Sequence, residues 1–179
     1  MPPGTNQPDP THPDERAPAA RWLAAASDPA VAEELEAIYA MIADAVSARG
    51  PACWASGRCC NFERAGHRLY TTGLEAAYTV ARAGPESALT EGSIVAARAV
   101  GGCPFQRDNL CGLHAVRPIG CRVYFCDRSA ERWQQDLSER AIALVRSLHD
   151  RHGLPYRYAE WRDLLSMLAS GTGPGATAR

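Results

Sequence analysis

The 179-residue chain contains no lysine, and all 19 of its basic residues are arginine. This absence excludes Schiff-base catalysis, a P-loop lysine and a lysine general base. A formal net charge of −1 leaves no basic surplus, so we expect no nucleic-acid partner. No apolar run is long enough to span a bilayer, and we expect no membrane partner.

The N-terminal segment lacks a basic start followed by an apolar run, which is the pattern of a secretory signal. We therefore expect the protein to be cytoplasmic, in a reducing compartment. In that setting, clustered cysteines are metal ligands or redox groups rather than disulfides. The cysteine count of 7 is also odd, which prevents complete pairing within one chain.

All cysteines fall within one stretch of the chain, residues 53–126, and none lies outside it. The first group is Cys53, Cys59 and Cys60, and the second group is Cys103, Cys111, Cys121 and Cys126. Cysteines used only for packing would be scattered, whereas thiolates that hold a metal are gathered. The clustering predicts a metal-binding protein in which all seven cysteines are candidate ligands.

The number of ligands matches neither one nor two tetrahedral sites. Seven thiolates exceed the four that one zinc ion takes and fall one short of two sites. Only Cys121 and Cys126 have the intact spacing of a zinc pair, and His114, close after Cys111, is a further candidate ligand. Zinc, iron and an iron–sulfur cluster all remain open, because four thiolates satisfy each of them.

Three arginines lie within the cysteine motifs and are candidates to support the centre. They are Arg58, Arg117 and Arg122. Hydrogen bonds from such groups to sulfur would offset the negative charge of a thiolate site.

The pattern around the cysteines predicts a mainly α fold with a small β-hairpin, in which helices surround a loop-rich metal-binding core. We expect a disordered proline-rich tail over residues 1–20, a single helical domain over 21–170 and a flexible tail over 171–179. The hairpin is expected over Cys103–His114, because Asp108 and Asn109 suit a turn between two short segments.

The predicted helices are bounded by capping and breaking residues. Ser27 and Ser129 are expected N-caps, and Thr72-Gly-Leu-Glu75 has the form of a capping box. The expected helices cover about residues 28–49, 72–83, 129–152 and 157–169, with a short strand at 67–71. The buried faces are predicted to be Val31, Leu35, Ile38, Ile42 and Val46 in the first, Trp133, Leu137, Ala141, Leu144 and Leu148 in the third, and Tyr158, Trp161, Leu165 and Leu168 in the last.

The cysteine motifs resemble those of the zinc- or iron-chelating cysteine-cluster proteins of bacteria, often called YkgJ-like. That family's signature is a CxxCxxCC box, a Cys-Pro-Phe segment, a further cysteine, and an Arg-Pro-x-x-Cys-Arg segment. The matching residues are Cys53, Cys59 and Cys60, then Cys103-Pro104-Phe105, then Cys111, then Arg117-Pro118-Ile119-Gly120-Cys121-Arg122. The chain departs from the box at Ser56, which replaces its second cysteine and which is a poor ligand for zinc.

The resemblance implies chelation of zinc or iron, the latter also as an iron–sulfur cluster. Some relatives with this box are linked to protein lysine methylation, which suggests an alternative as an iron–sulfur redox or accessory component of a protein-modifying enzyme. A third hypothesis is an interaction module that zinc stiffens, for which the sequence identifies no protein partner. No Ser-His-Asp set, carboxylate pair or phosphate loop points to a substrate, so enzymatic activity stays open.

Overall fold

The computed structural model describes residues 16–53, 55–84 and 87–171. Within these ranges the chain is mainly helical and has two small antiparallel sheets, which confirms the predicted fold class of helices with a β-hairpin. The helices are α1 (Arg16–Ser27), α2 (Pro29–Arg49), α3 (Phe62–Ala65), α4 (Gly73–Ala81), α5 (Glu91–Ala99), α6 (Ile119–Val123), α7 (Glu131–Arg151) and α8 (Trp161–Gly171). The strands are β1 (Tyr70–Thr72), β2 (Gln106–Arg107), β3 (Leu110–Cys111) and β4 (Tyr158–Glu160). In the part of the chain that the structure describes, no helix has the length and apolar character needed to cross a membrane.

Helix α1 begins earlier than the predicted tail boundary at residue 20, because residues 16–20 are already helical. The segment is rich in alanine, which has the highest helix propensity. Its Trp22 is fully buried and donates its indole N–H to the carbonyl oxygen of Pro155 at 2.7 Å. A side chain at Gly73 of α4 would come within 2.3 Å of the Trp22 ring, so the close packing of α1 on α4 requires glycine. The rest of the predicted tails, residues 1–15 and 172–179, lies outside the described residues.

Helix α2 has the predicted extent and a different cap. Asp28, rather than Ser27, is the N-cap, and its Oδ1 accepts the backbone N–H of Ala30 at 2.9 Å. Pro29 occupies the first helical turn, and Gly50 ends the helix in the left-handed conformation at φ 61°. The buried residues are Val31, Ala32, Leu35, Ile38, Tyr39 and Ile42. The predicted face is therefore confirmed except at Val46, which is half-buried.

Helix α7 differs from its prediction at both its cap and its buried face. Asp127 Oδ1 accepts the backbone N–H of Ser129 at 2.9 Å, so Asp127 caps the 3₁₀ turn Arg128–Ala130 that leads into the helix. Leu144 was expected in the core but is 45% exposed, whereas Val145 is fully buried. Val145, four residues after Ala141, continues the buried face of the helix, whereas Leu144, three residues after Ala141, does not.

Residues at the start of the last predicted helix instead form β4. This strand pairs antiparallel with β1, with Tyr70 opposite Glu160, and leaves Tyr158 45% exposed rather than buried. The Glu160 Oε2 atom accepts the backbone N–H groups of Arg162 at 2.9 Å and Asp163 at 3.3 Å. Helix α8 therefore begins after the strand, capped by a carboxylate that the sequence pattern did not identify.

The capping box of α4 is confirmed and also holds the cysteine segment in position. Thr72 Oγ1 accepts the backbone N–H of Glu75, and Glu75 Oε2 accepts that of Thr72. The second oxygen of Glu75 accepts the backbone N–H of Ile119 at 2.8 Å, and Thr79 Oγ1 donates to the carbonyl of Val116 at 2.8 Å. Helix α4 thus fixes the loop that leads into α6.

The predicted hairpin forms between β2 and β3, with Gln106 opposite Cys111 and Arg107 opposite Leu110. Its turn places Asp108 at φ 51°, in the left-handed region that Asp and Asn tolerate better than most residues.

Candidate metal centre

Five of the cysteines, here called the inner cysteines, line one small cavity. They are Cys59, Cys60, Cys103, Cys111 and Cys121. The cavity has a volume of about 20 Å³, which is room for one atom-sized guest. Its remaining wall includes Phe62, Phe105, Leu113 and Trp161, together with Arg117. All seven cysteines of the chain are free thiols.

Separate chain segments supply the inner cysteines, and backbone hydrogen bonds join these segments. Cys59 and Cys60 lie on the 3₁₀ turn Arg58–Cys60, Cys111 ends β3, and Cys121 lies in α6. The backbone N–H of Cys103 donates to the carbonyl oxygen of Cys60 at 2.9 Å. The first and second cysteine groups are therefore linked directly by the backbone.

The Cys60 thiol occupies the middle of this arrangement. It interacts with the side chains of Cys103, Cys111 and Cys59, and these interactions, with burial, raise its pKa far above the ordinary value. The same contacts lower the pKa values of the three neighbours, because a thiol that donates a hydrogen bond stabilises the thiolate that accepts it. The arrangement is a Cys60 thiol that keeps its proton, beside three sulfurs whose pKa values it lowers.

The neighbours of Cys60 have lowered pKa values. Interaction with Cys60 is the largest cause for Cys59 and for Cys111, and it lowers the pKa of each thiol to about 6. Cys60 also lowers the pKa of Cys103, despite the opposing effect of burial. Cys59 and Cys111 thus favour the thiolate form that binds a cation, and the pKa of Cys103 shifts in the same direction.

Neighbouring N–H groups stabilise two of these thiolates. Cys60 has the larger effect on both. In addition, the backbone N–H of Phe105 lowers the pKa of Cys103, and the backbone N–H of Leu113 lowers the pKa of Cys111. The buried indole N–H of Trp161 forms no hydrogen bond of ordinary geometry, but it lies close enough to Cys103 to lower its pKa further. N–H groups directed at sulfur are the usual surroundings of a metal-bound thiolate.

The three candidate arginines have different surroundings. Arg117 lines the cavity, and its positive charge makes a smaller contribution than Cys60 to the lowered pKa values of Cys59 and Cys111. Arg122 holds the loop that leads into α6, because its Nε donates a hydrogen bond to the carbonyl oxygen of Arg117 at 2.7 Å. Arg58 is exposed and does not line this cavity, and its charge is a minor influence on the pKa values of His67 and Tyr124.

Cys121, like Cys60, is an inner cysteine whose pKa is raised. Its burial, and then the negative charges of Cys103 and Cys111, raise its pKa well above the ordinary value. Arg117 opposes this rise. Cys121 is therefore a neutral thiol beside the other four sulfurs.

The structure does not bring every candidate ligand to the cavity. Cys53 is exposed, and Cys126 lies beside Ser56, whose Oγ is 3.9 Å from the Cys126 sulfur. Cys121 and Cys126, the pair with intact zinc spacing, therefore do not line this cavity together. His114 is largely exposed and does not line this cavity, and its partial desolvation, then the charge of Arg117, lowers its pKa.

In the ranges that the structure describes, no group of three or more His, Cys, Asp or Glu side chains is arranged as a metal site. The inner sulfurs share a cavity, and Cys60 interacts with three of the other four, but their side chains are not arranged to hold an ion.

Sequence reasoning missed part of the aromatic side of the cavity, whereas Phe105, from the Cys-Pro-Phe segment, does line it. Phe62 and Trp161 also line the cavity. The helical pattern of the sequence predicted Trp161 to be buried on a helix face and made no prediction for Phe62. Their apolar character gave no signal of a role beside sulfur. The indole N–H was the one polar feature that could have suggested such a role.

The chain matches no protein-family model, and comparisons with curated proteins and with solved structures gave no significant match. The resemblance to the YkgJ-like family therefore remains a prediction that rests on the cysteine motifs.

Proposed function

We propose that the protein binds zinc or iron through Cys59, Cys60, Cys103 and Cys111. The observation that carries this proposal is the position of the Cys60 thiol, which interacts with the side chains of the other three. Four sulfurs around one point are the ligand set of a tetrahedral zinc site and of common iron–sulfur clusters. A cation would take the place of the proton that Cys60 now shares with its neighbours.

The surroundings of the four cysteines support this proposal on electrostatic grounds. Four thiolates around a divalent ion carry a net charge of about −2. The half-buried Arg117 and the N–H groups of Phe105 and Leu113 lower thiol pKa values and would offset part of that charge. The proposal also includes rotation of the thiol side chains, since no group of the described residues is arranged to hold an ion.

A bound ion would be part of the fold. The four cysteines come from the 3₁₀ turn Arg58–Cys60, the loop before β2, and β3, all of which are short elements. Such segments gain most of their stability from a shared ligand, so metal binding and folding of this region would be coupled. Free thiols of this kind persist in a reducing compartment, and we propose that the protein is cytoplasmic.

The test compares two serine variants after anaerobic purification, with elemental analysis as the readout. We expect about one equivalent of a tetrahedral metal per wild-type chain, loss of that metal in Cys60→Ser, and full retention in Cys53→Ser. Cys53 is the matched control because it is exposed and lies outside the cavity. Cys111→Ser serves as a second variant if Cys60→Ser fails to fold. Full metal content in both cavity variants would contradict the proposal.

A second candidate is an iron–sulfur redox or accessory component of a protein-modifying enzyme. A pocket of about 300 Å³ opens beside the inner cysteines, with Cys59 and Cys121 in its lining together with Tyr70, Tyr124 and Tyr158. A purely structural ion needs no such access from the surface, which favours a reactive centre. Protein purified without air should then be brown and contain acid-labile sulfide. Colourless protein with zinc alone would exclude this candidate.

A further inference from the structure

A separate pocket lies on the outer side of the first cysteine group. Its lining residues are Ser56, Arg58, Asn61, Arg64, Ala65 and Asn109. Its volume is about 410 Å³, within the range of about 300–1,000 Å³ that small-molecule sites occupy. Among the lining residues, the polar groups are two guanidinium groups, two amides and one hydroxyl, with no carboxylate.

One wall of this pocket comes from the 3₁₀ turn and α3. Arg58 lies in the turn, Arg64 lies in α3, and Asn61 joins the two with a non-helical backbone at φ −105° and ψ 71°. Backbone hydrogen bonds hold the turn, from the N–H of Asn61 to the carbonyl of Arg58 at 3.1 Å and from the N–H of Ala65 to that of Asn61 at 2.9 Å. The two guanidinium groups therefore start from a fixed backbone.

The β2–β3 hairpin supplies the opposite wall. Gly57 has a φ of 71°, and a Cβ atom there would lie 2.8 Å from Gln106 Nε2 and 3.0 Å from Asn109 Oδ1. Gln106 Nε2 also donates to the carbonyl oxygen of Gly57 at 3.4 Å. The loop and the hairpin turn are thus in close contact, which keeps the Asn109 amide at the pocket.

The positive charge of the pocket has no partner in the described ranges. Neither Arg58 nor Arg64 takes part in an ion pair there, whereas Arg82, Arg98, Arg151 and Arg162 do. The nearest acid along the chain, Glu63, has its carboxylate 4.0 Å from Arg162 instead. The chain has a net charge of −1, so this local excess does not follow from overall composition.

We propose that this pocket binds a small oxyanion ligand, one that presents a phosphate or carboxylate group to Arg58 and Arg64. Guanidinium groups bind both kinds of oxyanion through paired, charge-assisted hydrogen bonds. The amides of Asn61 and Asn109 would donate to the remaining oxygens. This site shares no lining residue with the cavity of the proposed metal centre.

The test titrates the full chain with inorganic pyrophosphate and, separately, with citrate, each at constant ionic strength set by sodium chloride. Calorimetry measures affinity, and NMR follows the side-chain amide signals of Asn61 and Asn109. We expect saturable binding of at least one probe, with shifts of both amide signals. Pyrophosphate alone would identify a phosphate ligand, citrate alone a carboxylate ligand, and both results support the site.

Charge-removing variants distinguish the pocket from general attraction. Arg64→Gln should weaken binding by about tenfold, as loss of one charge-assisted contact implies. Arg140→Gln is the matched control, since Arg140 is exposed on α7 and outside the pocket. Metal content and circular dichroism of both variants should equal those of the wild type. Equal weakening by the two variants, or the absence of saturable binding, would overturn the proposal.

Discussion

The backbone N–H of Cys103 lies 2.9 Å from the carbonyl oxygen of Cys60, and the side chains of the same two residues interact. One pair of residues thus joins the two cysteine groups through both backbone and sulfur. Because Cys60 also interacts with Cys59 and Cys111, this contact places four sulfurs around one thiol. The proposed metal centre follows from this relationship.

The first prediction concerns Glu75, which joins α4 to the segment leading into α6. Glu75→Gln would place an amide N–H₂ against a buried backbone donor, either that of Thr72 or that of Ile119. Because buried bonds to a carboxylate contribute about 1.5–3 kcal/mol each, the free energy of unfolding should fall by about 2–4 kcal/mol. Urea denaturation measures this change.

Glu33→Gln provides the control for this measurement. Glu33 is exposed on α2, so its substitution should change the free energy of unfolding by less than about 0.5 kcal/mol. A similar loss in both variants would show that the Glu75 contacts do not hold the cysteine segment in place.

The second prediction concerns pH and His149, which is fully buried and whose ring nitrogens form no hydrogen bond of ordinary geometry. Burial lowers its pKa below the ordinary 6.5, contrary to the positive charge expected at the end of a helix. Below about pH 6.5 the unfolded chain therefore binds more protons than the folded one, and stability falls. In His149→Leu, the fall in the free energy of unfolding between pH 6.5 and the lowered pKa of His149 should become smaller.

Thermal denaturation across this pH range measures the effect. Tyr156→Phe is the control, because it removes a hydroxyl but keeps the ring whose centroid lies 5.2 Å from that of His149. That variant should keep the pH dependence of the wild type. An unchanged pH dependence in His149→Leu would show that His149 is not responsible.

The third prediction concerns Ser56, which lies close to the sulfur of Cys126. The Ser56 Oγ atom is 3.9 Å from the sulfur of Cys126, a separation that small side-chain rotations would convert to a bond. Ser56→Cys should therefore form a disulfide with Cys126 under mild oxidation, which peptide mapping by mass spectrometry detects.

Ser47→Cys, on the exposed side of α2, should form no disulfide within the chain under the same conditions. A cross-link from position 56 to Cys53 rather than to Cys126 would show that the loop has a different arrangement from the one described.

Some of the fold followed from local sequence signals. The capping box at Thr72 and Glu75, the turn at Asp108 and the face of α2 are each determined by neighbouring residues, and each was predicted. Strand β4 was not, because its pairing with β1 depends on residues far apart in the chain. Tertiary pairing overrode the helical pattern there.

The candidate site was also predictable only in part. Cysteine spacing indicated that sulfurs would gather, and five of them do line one cavity. Spacing also suggested Cys121 with Cys126 as a pair, and only the first lines the cavity. Which cysteine of this pair lines the cavity depends on the position of α6. The distant Glu75 holds the start of α6, and the motif itself does not indicate this contact.

X-ray absorption spectroscopy at the metal edge of anaerobically purified protein tests the central claim most directly. We predict about four sulfur neighbours, at about 2.3 Å if the metal is zinc, with loss of that signal in Cys60→Ser and no change in Cys53→Ser. A first shell of nitrogen or oxygen atoms, or protein that contains no metal, would contradict the proposed centre.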